Sequence, residues 1–200
     1  MNETKEHIIK TSLRLFLQKS YKEVTMNEIV EKTQISKGAF YHHFGSKEEL
    51  FKEIANMFFS SGVIDYSLFP DKSLKEFYNF YVQYINVSFQ KLYELIGVSD
   101  KEKVSVNFFL VMFDAIGRFP EFLKIEQDQY NISIKAWEQV IRNAKETGEI
   151  KSESSNMQIA DLFLYCTDGV FIRFVNNDKS NSYGDDLQKA FDTIYVNLNI

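Results

Sequence analysis

Apolar residues in this 200-residue chain recur three and four positions apart almost throughout, and no alternating stretch of useful length offers a half-buried strand. Ile9, Leu13, Phe16 and Leu17 trace one face of a first helix near residues 3–19. Leu50, Phe51, Ile54, Ala55 and Phe58 repeat the spacing near 47–60, and Phe77, Tyr81, Tyr84, Ser88 and Leu92 near 73–96. A last stripe runs through Leu187, Ala190, Phe191, Ile194, Tyr195 and Leu198. Four helix starts carry the capping-box pattern: Thr25-x-x-Glu28, Ser46-x-x-Glu49, Ser73-x-x-Glu76 and Ser99-x-x-Glu102. In that motif the hydroxyl and the carboxylate reciprocally satisfy free backbone N–H groups. Breaks fall at 60–71, 117–120, 148–155 and 176–185. The expected fold is all-α, with about nine helices.

Two segments, 104–113 and 159–175, are apolar on nearly every side. Such a helix is buried in a core, spans a membrane or meets another chain. Asp161, Asp168 and Arg173 within the second segment exclude a span, leaving a subunit interface or a central core helix. Interface candidates are Phe163, Thr167, Val170 and Phe174, with Leu187, Phe191, Ile194 and Tyr195 of the final helix. The lone Cys166 cannot close an internal disulfide and is expected as a buried thiol. With no secretory signal visible at the start, a cytoplasmic location is expected.

The 28 acidic residues outnumber the 23 basic ones, yet residues 1–53 hold nine Lys and Arg against eight Asp and Glu, and all three histidines. That asymmetry suits a DNA-facing head on an acidic body. Residues 25–45 divide into two short helical pieces around a tight connection. In the second piece Phe40 and Phe44 share the inward face and Ser36 is a plausible N-cap. The opposite arc presents Lys37, Gly38, Tyr41, His42 and His43. This is the form of a helix-turn-helix whose second helix enters the major groove, its free N–H groups turned to phosphate.

Sharper chemistry is not supported. Neighbouring helical residues point about 100° apart, so His42 and His43 cannot chelate one ion, and no HxxxH spacing or cysteine cluster exists. The run from Gly38 to Lys47 has six residues between its glycines and no preceding strand, so it is no phosphate loop. GxSxG, GxGxxG and CxxC are absent, and no paired carboxylates stand out as acid and base. Neither enzyme activity, a cofactor nor a metal is expected.

The stretch IVEKTQISKGAFYHHFGSKEELFKEI, with Tyr21 and Thr25 before it, closely resembles the DNA-binding head of the tetracycline-repressor (TetR) family. The shared order is a turn, Ser-Lys-Gly, a small residue, an apolar residue, Tyr, two polar or aromatic residues, Phe, and Ser-Lys-x-x-Leu. Gln34 and Ser20 stand where that family often has glycine, and Ala39 lacks the hydroxyl of a threonine. A left-handed Gln34 would cost about 1 kcal/mol or more.

The resemblance implies a head over 1–46 and an effector-binding, dimerising body over 47–200. It implies that Thr25, Tyr41, His43 and Lys47 hold phosphates, that Asn27, Lys37 and His42 reach base edges, and that Gly38 and Ala39 let the backbone approach DNA. The implied partners are a palindromic double-stranded operator, a second copy of the chain and a small lipophilic effector, with no membrane. Candidate pocket walls are Phe77, Tyr81, Tyr84, Phe108, Phe109, Phe113, Trp137 and Phe163, although aromatics at helical spacing also suit a plain core. Asp114, Asp161 and Asp168 are expected to pair with Arg118 or Arg173 or to bond backbone, unless one meets a cationic lipophile. The implied activity is effector-relieved repression. The alternative is DNA binding without an effector, as in a nucleoid-associated or partner-regulated protein.

Overall fold

The computed structural model describes residues 3–96, 107–176 and 183–199. Among the described residues there are nine α-helices: α1 (Glu3–Gln18), α2 (Met26–Thr33), α3 (Lys37–His43), α4 (Lys47–Ser61), α5 (Leu74–Ile96), α6 (Phe108–Arg118), α7 (Pro120–Glu146), α8 (Asn156–Asn176) and α9 (Tyr183–Asn197). A short 3-10 turn, Tyr66–Leu68, precedes α5. The expected start at Ser99 and the first residues of the 104–113 segment lie outside the described residues.

The hydroxyl half of the capping boxes forms as expected. Thr25, Ser46 and Ser73 accept from the amides of Glu28 (3.1 Å), Glu49 (3.0 Å) and Glu76 (3.3 Å). The carboxylate half does not, because stronger partners compete. Glu28 pairs with Lys19 at 2.5 Å, and Glu49 accepts from the Gly45 amide at 2.7 Å. At α5 the carboxylate comes from afar. Glu149 accepts from the Ser73 hydroxyl (2.9 Å) and from the amides of Leu74 and Lys75 (3.0 Å each). A reciprocal box that was not anticipated opens α8. There Ser155 Oγ accepts from the Gln158 amide at 3.2 Å, and Gln158 accepts from the Ser155 amide at 2.9 Å.

Contacts divide the chain into two units, residues 1–63 with 90–125, and residues 64–89 with 126–200. Helices α4 and α6 group with the head helices in the first of these units. In the first unit Phe51 anchors the interior, its ring 4.8 Å from those of both Phe16 and Tyr21. Phe59 of α4 stacks on Phe122 at 4.7 Å. Burying each such ring contributes about 1.5–3 kcal/mol.

The second unit is built around Trp137, which is wholly buried. Its ring stacks on Phe163 at 4.7 Å and meets Phe77, Tyr81 and Phe191 edge-on at 4.8, 5.4 and 5.7 Å. At Gly184 a Cβ would meet Asn86 Nδ2 at 1.9 Å, so any side chain there would have to displace the Asn86 amide of α5. Helix α8 is not buried all round. Ile159, Ala160, Phe163 and Leu164 turn inward, while Leu162, Tyr165 and Ile172 are 48–60% exposed to solvent. Cys166 is half-buried rather than buried, and burial pushes its thiol pKa up. No described helix is long and apolar enough to cross a membrane.

Because Glu149 serves three donors at the start of α5, Glu149→Ala should cost about 2 kcal/mol in urea unfolding. A second test concerns Tyr66, whose phenol donates to Ser133 Oγ at 3.0 Å and is pushed from 10.0 up to about 12, chiefly by burial. A pKa raised in the folded state gives stability that is complete below the unfolded value and is lost as pH climbs through the folded one. Between about pH 10 and 12, Tyr66→Phe should therefore flatten the alkaline fall in stability by roughly 2 kcal/mol.

Candidate nucleic-acid interface

The segment from Thr25 to Phe44 is shaped by its caps and by two buried rings. Thr25 starts α2, and Ser36 Oγ accepts from the Ala39 amide at 3.1 Å to start α3. Between them the chain reverses at Gln34, which takes the left-handed conformation (φ 56°, ψ 25°) and donates its amide to Glu31 O at 3.2 Å. Among the described residues it is the one non-glycine with positive φ. On α3, Phe40 and Phe44 are buried, their ring centroids 5.8 Å apart. Burying those two positions fixes which arc of α3 faces water.

That arc carries Lys37, Gly38, Tyr41 and His42, all exposed, with Ala39 and His43 half-buried at its edges. Tyr41 is 55% exposed, its ring outside the core that Phe40 and Phe44 enter. Thr25 and Asn27, at the start of α2, are exposed as well. The rings of His42 and His43 meet edge-to-face at 5.1 Å. Among the described residues no three His, Cys, Asp or Glu side chains gather as a metal site. The third histidine is spent on the fold: His7 Nε2 lies 3.0 Å from Thr33 O and donates to it in the tautomer protonated there.

Lys47 is placed differently from the other expected phosphate contacts. Its ammonium donates to the carbonyls of Tyr21 and Val24, at 2.7 Å each, and lies 4.0 Å from the centroid of the Tyr21 ring. Desolvation, with a smaller push from Arg118, lowers its pKa. Charge-assisted bonds of this kind contribute about 1.5–3 kcal/mol each.

The residues that meet Lys47 were not expected as a group. Asp114 does not pair with Arg118; its Oδ2 accepts from the Tyr21 backbone amide at 2.7 Å. Arg118 instead lays its guanidinium 3.7 Å from the centroid of the Tyr21 ring. Asp161, a second carboxylate in an apolar stretch, accepts from the Tyr130 hydroxyl at 2.8 Å. Asp114 and Arg118 are four apart on α6, but no sequence spacing joins that pair to positions 21 and 47, which they meet only through the fold.

The candidate pocket walls separate. Phe77, Tyr81, Trp137 and Phe163 form the ring cluster of the second unit, with Tyr84 half-buried against it. Phe108, Phe109 and Phe113 belong to the first unit, where Phe108 is buried and Phe113 is 63% exposed. Of the interface candidates, Phe163, Leu187 and Phe191 are wholly buried within the second unit, and Thr167, Val170, Phe174, Ile194 and Tyr195 are half-buried.

Two capped short helices, with an exposed second helix seated by buried rings, define a helix-turn-helix head. Residues 8–54 match the family described as bacterial regulatory proteins, tetR family. Over 50 residues the chain is 60% identical to YerO of Bacillus subtilis (strain 168), an uncharacterized HTH-type transcriptional regulator, covering 25% of this chain and 17% of that protein. Over 53 residues it is 42% identical to the HTH-type transcriptional regulator QacR of Staphylococcus aureus (strain Mu50 / ATCC 700699), covering 26% of this chain and 28% of that protein. The stretches matched in three such relatives span only 17%, 20% and 24% of their lengths. The solved TetR-family regulator PfmR from Thermus thermophilus shares the whole fold, with a TM-score of 0.60 at 21% identity, covering 94% of this chain and 97% of that one. Residues 8–54 therefore form a head of the tetR-family type, and the fold as a whole is that of solved regulators of this kind.

The left-handed turn supplies a direct check. Gln34→Gly should relieve about 1–2 kcal/mol of backbone strain against about 0.5–1 kcal/mol of added chain entropy, raising stability by about 0.5–1 kcal/mol. Gln34→Val should lower it, as read by thermal or urea unfolding.

Proposed function

We propose that the protein is a DNA-binding transcriptional regulator that acts as a homodimer on a palindromic operator and releases it on binding a small lipophilic effector. One observation carries this reading: the solvent-facing arc of α3, where Lys37, Tyr41 and His42 stand clear of the fold behind the buried Phe40 and Phe44. Lys37 and His42, with Asn27 from α2, are of the types that bond base edges. Thr25, Tyr41 and His43 would grip phosphates and set register, and Gly38 and Ala39 would let the backbone come close. In a dimer two such helices lie about 34 Å apart, one turn of duplex.

The exposed stripe of α8, Leu162, Tyr165 and Ile172, together with Val196 of α9, supports pairing with a second copy. The fully buried Phe163, Leu187 and Phe191 would support that face from behind. An effector that favours another head spacing would weaken DNA binding by its differential affinity for the two states. The aromatic interior around Trp137 supports a lipophilic effector. Its close ring contacts equally favour a second reading, DNA binding without an effector.

Selection from random duplexes tests the DNA reading. A recovered palindrome supports it, and Lys37→Ala should relax the preference at one position of each half-site, costing about 1–3 kcal/mol there. Recovery of no enriched sequence, together with binding that ignores salt, would sink it. Trp137 is the chain's one tryptophan, so its fluorescence separates the two effector readings: a lipophile that quenches it and frees the DNA selects the first.

A further inference from the structure

Tyr21 sits in the turn between α1 and α2, immediately before the Thr25 cap that begins the DNA-facing pair of helices. Three of its groups are held from elsewhere in the same unit. Its carbonyl accepts from Lys47 at the start of α4, its amide donates to Asp114 of α6, and its ring carries two cations, Lys47 Nζ and Arg118 Cζ, at 4.0 and 3.7 Å. The carbonyl of Val24 accepts from the same Lys47 at 2.7 Å. Arg118 Nε is buried with no hydrogen-bond partner among the described residues, so the ring and its neighbours are what hold that side chain. Two like charges on one ring repel unless something compensates, and here the Asp114 carboxylate and the two carbonyls do so.

We propose that Asp114 and Arg118 of α6, with Lys47 of α4, are positioning residues for DNA binding: by holding Tyr21 they set where α2 begins, and Lys47 acts on affinity through that turn rather than by touching phosphate. The proposal rests on the DNA-binding reading above. Helix α6 then fixes the entry of the helix pair directly at the turn, not only through the packing of α4. Nothing on α6 itself faces DNA in this assignment.

Salt dependence separates a positioning residue from a phosphate contact. Each phosphate neutralised adds about 0.9 to the slope of log K against log salt, whereas a residue acting through the fold shifts the line without tilting it. The full-length protein is titrated against a fluorescein-labelled random-sequence duplex over a series of KCl concentrations. Lys47→Met and Arg118→Met should each weaken binding about tenfold at every salt with the slope unchanged. Arg118→Lys, which keeps a cation over the ring, should restore most of the loss, and the double variant should lose less than the two single losses combined. A slope lower by about one in Lys47→Met, with Arg118→Met binding like the wild type, would overturn the assignment.

Hydrogen exchange at Tyr21 gives a readout that needs no DNA. Asp114→Asn and Arg118→Met should both speed exchange of the Tyr21 amide and of residues 22–28, leaving α3 protected. Unchanged exchange in both variants would also overturn the proposal. Wild-type protein that fails to bind any duplex would defeat the DNA-binding reading instead, while the exchange result still decides whether α6 holds the turn.

Discussion

An ammonium and a guanidinium share one tyrosine ring in the first unit, and the geometry of the head follows from how that charge is accommodated. Lys47 and Arg118 both lie over Tyr21, in a region partly withdrawn from water. Desolvated charge is costly unless bonded, and the bonds available are the carbonyls of the α1–α2 turn and the Asp114 carboxylate. Satisfying the charges therefore fixes the turn, the start of α4 and the end of α6 together. The same requirement explains why Asp114 bonds a backbone amide while Arg118 stacks: each finds its partner on Tyr21.

From that fixed turn the DNA-facing surface is assembled by smaller effects. Thr25 and Ser36 begin their helices by accepting one amide each, and Gln34 accepts a left-handed backbone so that the two can cross. Phe40 and Phe44 then hold α3 by one side. The strain at Gln34 is of the order of 1 kcal/mol and is outweighed by the burial of a single ring. Burial on one side and exposure of Lys37, Tyr41 and His42 on the other are two consequences of one register.

In the second unit ring packing about Trp137 dominates, and it separates residues that look alike in sequence. Phe163 and Tyr165 are two positions apart on α8, yet one stacks on Trp137 and the other is 60% exposed. The interface candidates Phe163, Leu187 and Phe191 fall inside the unit for this reason, while Leu162 and Ile172 stay outside. A helix apolar on every side gives no phase, so periodicity alone cannot say which side the interior claims.

The sequence by itself determined the helical fold, the starts at Thr25, Ser36, Ser46 and Ser73, the inward pair Phe40 and Phe44, and the exposed arc between them. These rest on local physics: 3.6-residue periodicity and hydroxyls within three residues of the amides they cap. Tertiary structure alone decided the partners of long-range polar groups. Glu149 caps a helix some 75 positions away, and Lys47, expected at a phosphate, is bound to carbonyls 26 and 23 positions back. A charged side chain goes to whichever desolvated partner the fold brings nearest, and no spacing along the chain encodes that distance.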